Sequence, residues 1–157
     1  MEESEHWCTL QYYLLQHMST SNVFVSLSQI PNAGLGLYTS RPYIEGDTIG
    51  QYQGVPLTTK AAMHLVEKEY LIRIGPQCYL NAKDMYHCFF RYMNDVRVTR
   101  DYNASFYKDM KRKQVNVIAT RDLKANEEIY VDYGKWYWIA YNLAHPLHPI
   151  LKTKYLR

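Results

Sequence analysis

Apolar and polar residues alternate from Gln114 onward. Val115, Val117 and Ala119 fall on one side, and Asn116, Ile118 and Thr120 on the other. That period of two predicts a strand. Asp122 to Asn126 reads as a turn, in which Asn126 tolerates a left-handed conformation. Beyond it Ile129, Val131 and Tyr133 share one face, and Glu128, Tyr130 and Asp132 the other, predicting a second strand. Gly134 and an aromatic group, Trp136, Tyr137 and Trp138, come next. By itself this stretch is a core hairpin with a packed aromatic end, which leaves its wealth of tyrosines unexplained. Elsewhere, Val23–Leu27, Tyr70–Ile74, Tyr79–Ala82 and Ala104–Tyr107 read as short strands. Trp7, Leu10, Leu14 and Met18 recur at helical spacing within Ser4–Met18, predicting a helix that packs on the domain or on a partner. Thr58–Glu69 is a second expected helix, capped by Thr58 or Thr59, with Ala62, Leu65 and Val66 on its apolar face.

Composition narrows the class. A chain of 157 residues suits one compact domain. With 47% hydrophobic and 21% charged residues it has the make-up of an ordinary globular protein. The net charge of +3 is too small to argue for nucleic acid. Lys108, Lys111, Arg112 and Lys113 read as a solvated hairpin tip rather than a phosphate site. No apolar run approaches the roughly 20 residues of a membrane span, and the acidic start MEESEHW lacks the basic region of a secretory leader. Cys8, Cys78 and Cys88 are widely spaced and form no Cys-x-x-Cys pair. Neither a disulfide framework nor a zinc site is expected, and a reducing intracellular compartment is. His145 and His148 have no evident third ligand, so no metal is expected.

Gly34-Leu35-Gly36 permits a tight turn whose open backbone a ligand can approach, although turns are the usual reason for such a pair. Its meaning comes from the motifs after it along the chain. Ala119-Thr-Arg-Asp-Leu-Lys-Ala-Asn-Glu-Glu-Ile-Tyr-Val-Asp-Tyr-Gly134 resembles the last motif of SET-domain protein lysine methyltransferases, A-x-R-D-I-x-x-G-E-E-L-x-x-D-Y-G, with Asn126 in place of Gly. Gly34–Tyr38 is similar to the family's first motif, G-x-G-[LV]-[FYW]. Ile44–Gly54 resembles its turn, strand and Y-x-G element. Phe90-Arg-Tyr-Met-Asn-Asp95 resembles R-F-[IV]-N-H, with Asp95 for the usual His and without the following Ser-Cys. This altered motif is also similar to PR-type relatives. Asn103 matches a later asparagine of the family without its preceding Pro.

The resemblance implies a β-rich (α+β) fold of several small sheets with short helices and a knot-like tuck of the C-terminal segment. The expected layout is a helical extension over 1–22, a SET domain over 23–138 and a tail over 139–157, without a Cys-rich zinc-binding end. The implied cofactor is S-adenosylmethionine, bound by Gly34, Leu35, Gly36, Tyr38, Arg91, Asn94, Asp95 and Tyr133. Asn94 would reach the cofactor's amino end, and backbone at Asp95 would hold the adenine while the Asp95 side chain shapes the loop. Tyr133 is the implied catalytic tyrosine, and Tyr70, Trp136 and Tyr137 are candidates for the wall of the lysine channel. The implied activity is protein lysine N-methylation, with a histone tail as leading substrate. The alternative is a non-catalytic PR- or SET-like interaction module. A homodimer is possible in principle. Localisation would be intracellular, and nuclear for a histone substrate.

Overall fold

The computed structural model of the chain describes residues 20, 22–97 and 99–147. The helix expected over Ser4–Met18 and the last part of the tail, His148 included, lie outside the described residues. Among those residues the strands are β1 (Val23–Leu27), β2 (Leu35–Thr39), β3 (Thr48–Tyr52), β4 (Val55–Leu57), β5 (Leu71–Gly75), β6 (Cys78–Asn81), β7 (Ala104–Asp109) and β8 (Gln114–Ala119). The α-helices are α1 (Thr59–Met63) and α2 (Lys135–Ala144), and Phe89–Tyr92 and Thr99–Asp101 form short 3-10 turns.

The strands form three small antiparallel sheets, ordered β1-β2, β3-β8-β7 and β4-β6-β5. The alternation read along Gln114–Ala119 is realised in β8. Val115, Val117 and Ala119 are buried and the residues between them are not. β8 is the middle strand of its sheet, so one face is committed to the core while both edges are paired. Leu37, Ile49, Val115, Val117, Ile129 and Val131 are almost wholly buried and form the centre of the core.

The hairpin expected after β8 does not form. β8 pairs with β3 and β7, and residues 127–131 run instead between β2 and the loop at Asn94. Thr39 N donates to Glu127 O at 3.0 Å and Ile129 N to Leu37 O at 2.7 Å. On the other side Val131 N donates to Asn94 O at 3.0 Å. The Asn103 side chain completes the lining as a strand would. Its Nδ2 donates to Glu128 O and its Oδ1 accepts from Tyr130 N, both at 2.7 Å. The segment keeps the period-two burial of a strand but takes its partners from three places, so only isolated bridges join it to its neighbours. The segment thus lies between β2 and the Arg91–Asn94 loop, where the tuck was expected, amid small sheets and short helices. The turn before it has Asn126 at φ 63°, the left-handed conformation expected of that residue.

The helix expected over Thr58–Glu69 is one short turn. Thr58 caps it, its hydroxyl accepting from Ala61 N at 3.2 Å. Ala62 is buried, but Val66 is 98% exposed, so the second half of the stretch has no core to pack on and the helix stops. At the start of the expected tail, α2 carries the chain as helix from Lys135 to Ala144.

Candidate active site

The loop between β1 and β2 is a tight turn, with Asn32 at φ 64° and Gly34 at φ 73°. Gly36 is required for a different reason. A Cβ there would lie 2.2 Å from Glu128 Oε1. The space beside the turn is therefore filled by a carboxylate that is only 1% exposed. Glu128 Oε1 accepts from Ser28 Oγ at 2.6 Å and Asn94 Nδ2 at 3.3 Å. Its Oε2 accepts from Gln29 N at 2.7 Å, Tyr130 OH at 2.8 Å and Tyr38 OH at 3.1 Å. These donors are all neutral. Burial and the adjacent carboxylate push the Tyr38 hydroxyl up to about 12, and the same two causes raise Tyr130. The Tyr38 side chain is thus turned into this network.

Asn94 is where the motif segments meet. Its Nδ2 donates to Leu35 O at 2.8 Å, its backbone oxygen accepts from Val131, and it bridges to Tyr130. An open cleft of about 480 Å³ lies over the Glu128 side of the site, between Gln29 and the turn at Arg121–Glu127. Neither Asn94 nor Tyr133 lines it.

Tyr133 is partly buried against the core, as its place in line with Ile129 and Val131 predicts. Its hydroxyl donates to Met93 O at 2.5 Å. Its ring stands edge-on to Tyr137 at 4.6 Å and stacks on Trp138 at 6.1 Å. Burial, then the neighbouring Tyr137 and Asp95, hold the Tyr133 hydroxyl well above the usual phenol range. Tyr52 and Tyr70 add to that shift, so these phenols share one locality with Tyr137. Burial and the Glu69 carboxylate raise Tyr137 to about 12.

The Arg91 guanidinium lies over the Tyr70 ring, 4.1 Å from its centroid, with the rings of Tyr86 and Tyr92 at 5.1 and 5.4 Å. Its Nε and Nη1 are buried and meet no hydrogen-bond acceptor among the described residues. The aromatic faces take that place. Trp136 is not part of the aromatic cluster. It is 78% exposed on the outer side of α2, whereas Trp138, not among the expected channel residues, is 8% exposed and packs inside. A helix turns neighbouring residues 100° apart, so Tyr137, Trp138 and Tyr141 face inward together and Trp136 faces out.

Asp95 is 5% exposed. Its Oδ1 accepts from Tyr102 OH at 2.6 Å and Arg97 N at 2.8 Å. Its Oδ2 accepts from Trp138 Nε1 at 2.8 Å and Tyr133 N at 3.0 Å. A histidine ring could not accept from all four donors. Glu128, Tyr52 and Tyr102 were missed by sequence reasoning, and Trp138 was placed in the aromatic end but not among the channel residues. For Trp138 a signal existed, the helical spacing of Tyr137, Trp138 and Tyr141. For Glu128 none did, because strand alternation sets it opposite the core.

The family model of the SET domain matches residues 34–134, from the first glycine of the turn to the glycine after Tyr133. No curated protein matches the chain.

Proposed function

The chain belongs to the SET-domain family, and from that premise we propose that it is a protein lysine N-methyltransferase using S-adenosylmethionine. The observation that carries this reading is the meeting at Asn94. That residue touches the glycine turn through Leu35 O and the tucked strand through Val131 N, and Met93 beside it accepts from Tyr133. Segments far apart in the chain thereby share one small space.

The residues there suit a cationic cofactor. Glu128 brings a negative charge whose described hydrogen bonds all come from neutral groups. Asn94 commits its amide nitrogen to Leu35 O and Glu128, which turns its Oδ1 into the acceptor for an ammonium. Gly34, Leu35 and Gly36 would hold the cofactor through backbone, with Tyr38 bracing Glu128 from behind. Arg91 and Asp95 belong to the loop that would close over it. S-adenosylmethionine, when bound, supplies a methyl group activated by a sulfonium.

The chain's own part is to deliver a neutral amine in line with that methyl. A free lysine, with a pKa near ~10.4, is protonated at neutral pH. Burial among Tyr52, Tyr70, Tyr133 and Tyr137 disfavours its charge, and the Arg91 cation over Tyr70 adds repulsion of the same sign. The raised phenols stay protonated, so Tyr133 presents a hydroxyl rather than a phenolate. Its tie to Met93 O fixes that hydroxyl's direction, and alignment then supplies most of the rate.

A histone tail is the first substrate to try, with the nucleus as the corresponding location, the domain spanning 23–138. The test uses labelled S-adenosylmethionine with core histones and a panel of cell-extract proteins, read by mass spectrometry, beside calorimetry of cofactor binding. Labelled lysine in a protein acceptor is the expected result. A folded chain that binds no cofactor would overturn the enzyme reading in favour of an interaction module.

A further inference from the structure

We propose that Asp95 is a positioning residue, whose buried carboxylate fastens the C-terminal helix α2 and the Tyr133 backbone to the Arg91–Asn94 loop. The inference rests on the methyl-transfer reading in so far as it concerns turnover.

One carboxylate oxygen accepts from Tyr133 N and Trp138 Nε1 together, at 3.0 and 2.8 Å. The other is held by Tyr102 OH and Arg97 N, at 2.6 and 2.8 Å, which fixes the carboxylate against rotation. Trp138 then stacks on Tyr133 at 6.1 Å with the rings 17° apart, and meets Tyr137 edge-on at 5.1 Å. Tyr137 in turn lies edge-on to Tyr133 at 4.6 Å. A triangle of rings is thus set by one acid. α2 has no side-chain cap, its first turn following Gly134 at φ 88°, so its entry angle needs an anchor of another kind. The Asp132 side chain supplies part of it, accepting from Gly134 N at 2.7 Å. Asp95 supplies the long-range part, across 43 residues to Trp138.

The chemistry of the position demands a carboxylate. It must accept from four donors, and an ionised acid has acceptors at both ends, whereas an amide has one accepting end and one donating end. Charge-assisted bonds of this kind are the strong ones.

The test compares the full wild-type chain with Asp95→Asn, Trp138→Phe, Tyr133→Phe and the Asp95→Asn/Tyr133→Phe double variant. Trp138→Phe keeps a ring and removes only the Nε1–H donor. At saturating cofactor, Asp95→Asn is expected to lower kcat about tenfold and Trp138→Phe about threefold, with KM for the protein acceptor within about twofold of wild type. In the Tyr133→Phe background the Asp95 change should slow turnover by no more than about twofold, because its effect passes through Tyr133. Losses that simply multiply would mark a general structural role and overturn the proposal.

Hydrogen exchange read by NMR supplies an arm independent of activity. The Trp138 Nε1 proton, assigned by its disappearance in Trp138→Phe, and the Tyr133 amide should be protected in wild type and freed in Asp95→Asn, while β3, β7 and β8 stay protected. Unchanged protection of both protons in Asp95→Asn overturns the clamp. An inactive wild type would overturn methyl transfer, and the exchange data would then decide the clamp alone: freed protons support it, unchanged protons end it.

Discussion

Two carboxylates, Glu128 and Asp95, are buried on either side of Asn94, and both are saturated with donors, yet they do different work. Glu128 lies within the tucked segment, bridged to Tyr38 of β2, and gathers donors from the turn and the strands around it. Its partners come from the loop at Ser28 and Gln29, from β2, from Asn94 and from Tyr130 of its own segment. Asp95 lies in a loop and reaches α2, beyond the tucked segment. Its partners include a tryptophan on α2 and the amide of Tyr133. The first acid is embedded in the fold, and the second sets the angle at which α2 meets it. Removing the first should cost stability, and removing the second should chiefly cost alignment.

The sharpest test of that contrast is Glu128→Ala. It leaves the hydroxyls of Tyr130 and Ser28 and the amide of Gln29 without their Glu128 acceptor, while Tyr38 OH keeps Leu27 O at 2.6 Å, and should destabilise the chain by about 3–4 kcal/mol in denaturant titration. A variant as stable as wild type would erase the distinction between the two acids. On the other side of Asn94, Tyr133→Phe should leave the melting temperature close to wild type while slowing methyl transfer by roughly 10²-fold at saturating cofactor. Wild-type turnover in this well-folded variant would remove Tyr133 from the chemistry.

Gly36→Ala brings the comparison to one contact. The new Cβ meets Glu128 Oε1 at 2.2 Å, and the overpacking should cost about 2 kcal/mol. Combined with Glu128→Ala, the same change should cost almost nothing more, since the obstructing atom is gone. Equal cost in both backgrounds, measured as a double-mutant cycle, would place the need for glycine elsewhere.

Alkaline pH probes the phenols around both acids. Burial raises Tyr38 to about 12 and Tyr52 further, from an ordinary value of 10.0. A raised folded pKa means that the folded state holds its proton more tightly. Stability is then complete below pH 10 and is lost above it, as the unfolded chain ionises and the folded chain does not. For the buried Tyr52 the loss is about 1.4 kcal/mol per pH unit until its folded pKa is reached. Thermal melts against pH, with tyrosinate absorbance followed in parallel, should show phenol ionisation and unfolding together. Free titration of all phenols near pH 10 in a folded chain would contradict it. The smallest effect belongs to the outer face of α2. Trp136→Ala, at a position 78% exposed, should change stability by less than about 0.5 kcal/mol in the same melts. A larger loss would show that this face is covered.

Much of the fold was legible in the chain. The burial of Val115, Val117 and Ala119, of Ile129 and Val131, and the left-handed Asn126 followed from period and turn chemistry. The family's order of motifs supplied the rest of the architecture, which periodicity could not, because a strand with three different partners has the same alternation as a hairpin arm. The helix over Thr58–Glu69 was overread because an apolar face forms a helix only where something packs on it, and Val66 meets solvent.

By itself the sequence determined which residues have a buried face, where the chain turns, and that a glycine turn, an Arg-x-x-Asn loop and an Asp-Tyr-Gly end occur in that order. Those properties are local, fixed by side-chain chemistry and a repeat of a few residues. Only the tertiary structure decided that Glu128, on the apparent outer face of its strand, would be buried, that Trp138 rather than Trp136 would face inward, and that Asp95 would bind both Trp138 and Tyr133. Each of these depends on donors and acceptors brought together from distant parts of the chain. A strand's alternation says which way a side chain points, but the groups that receive it there are set by the path of the whole backbone.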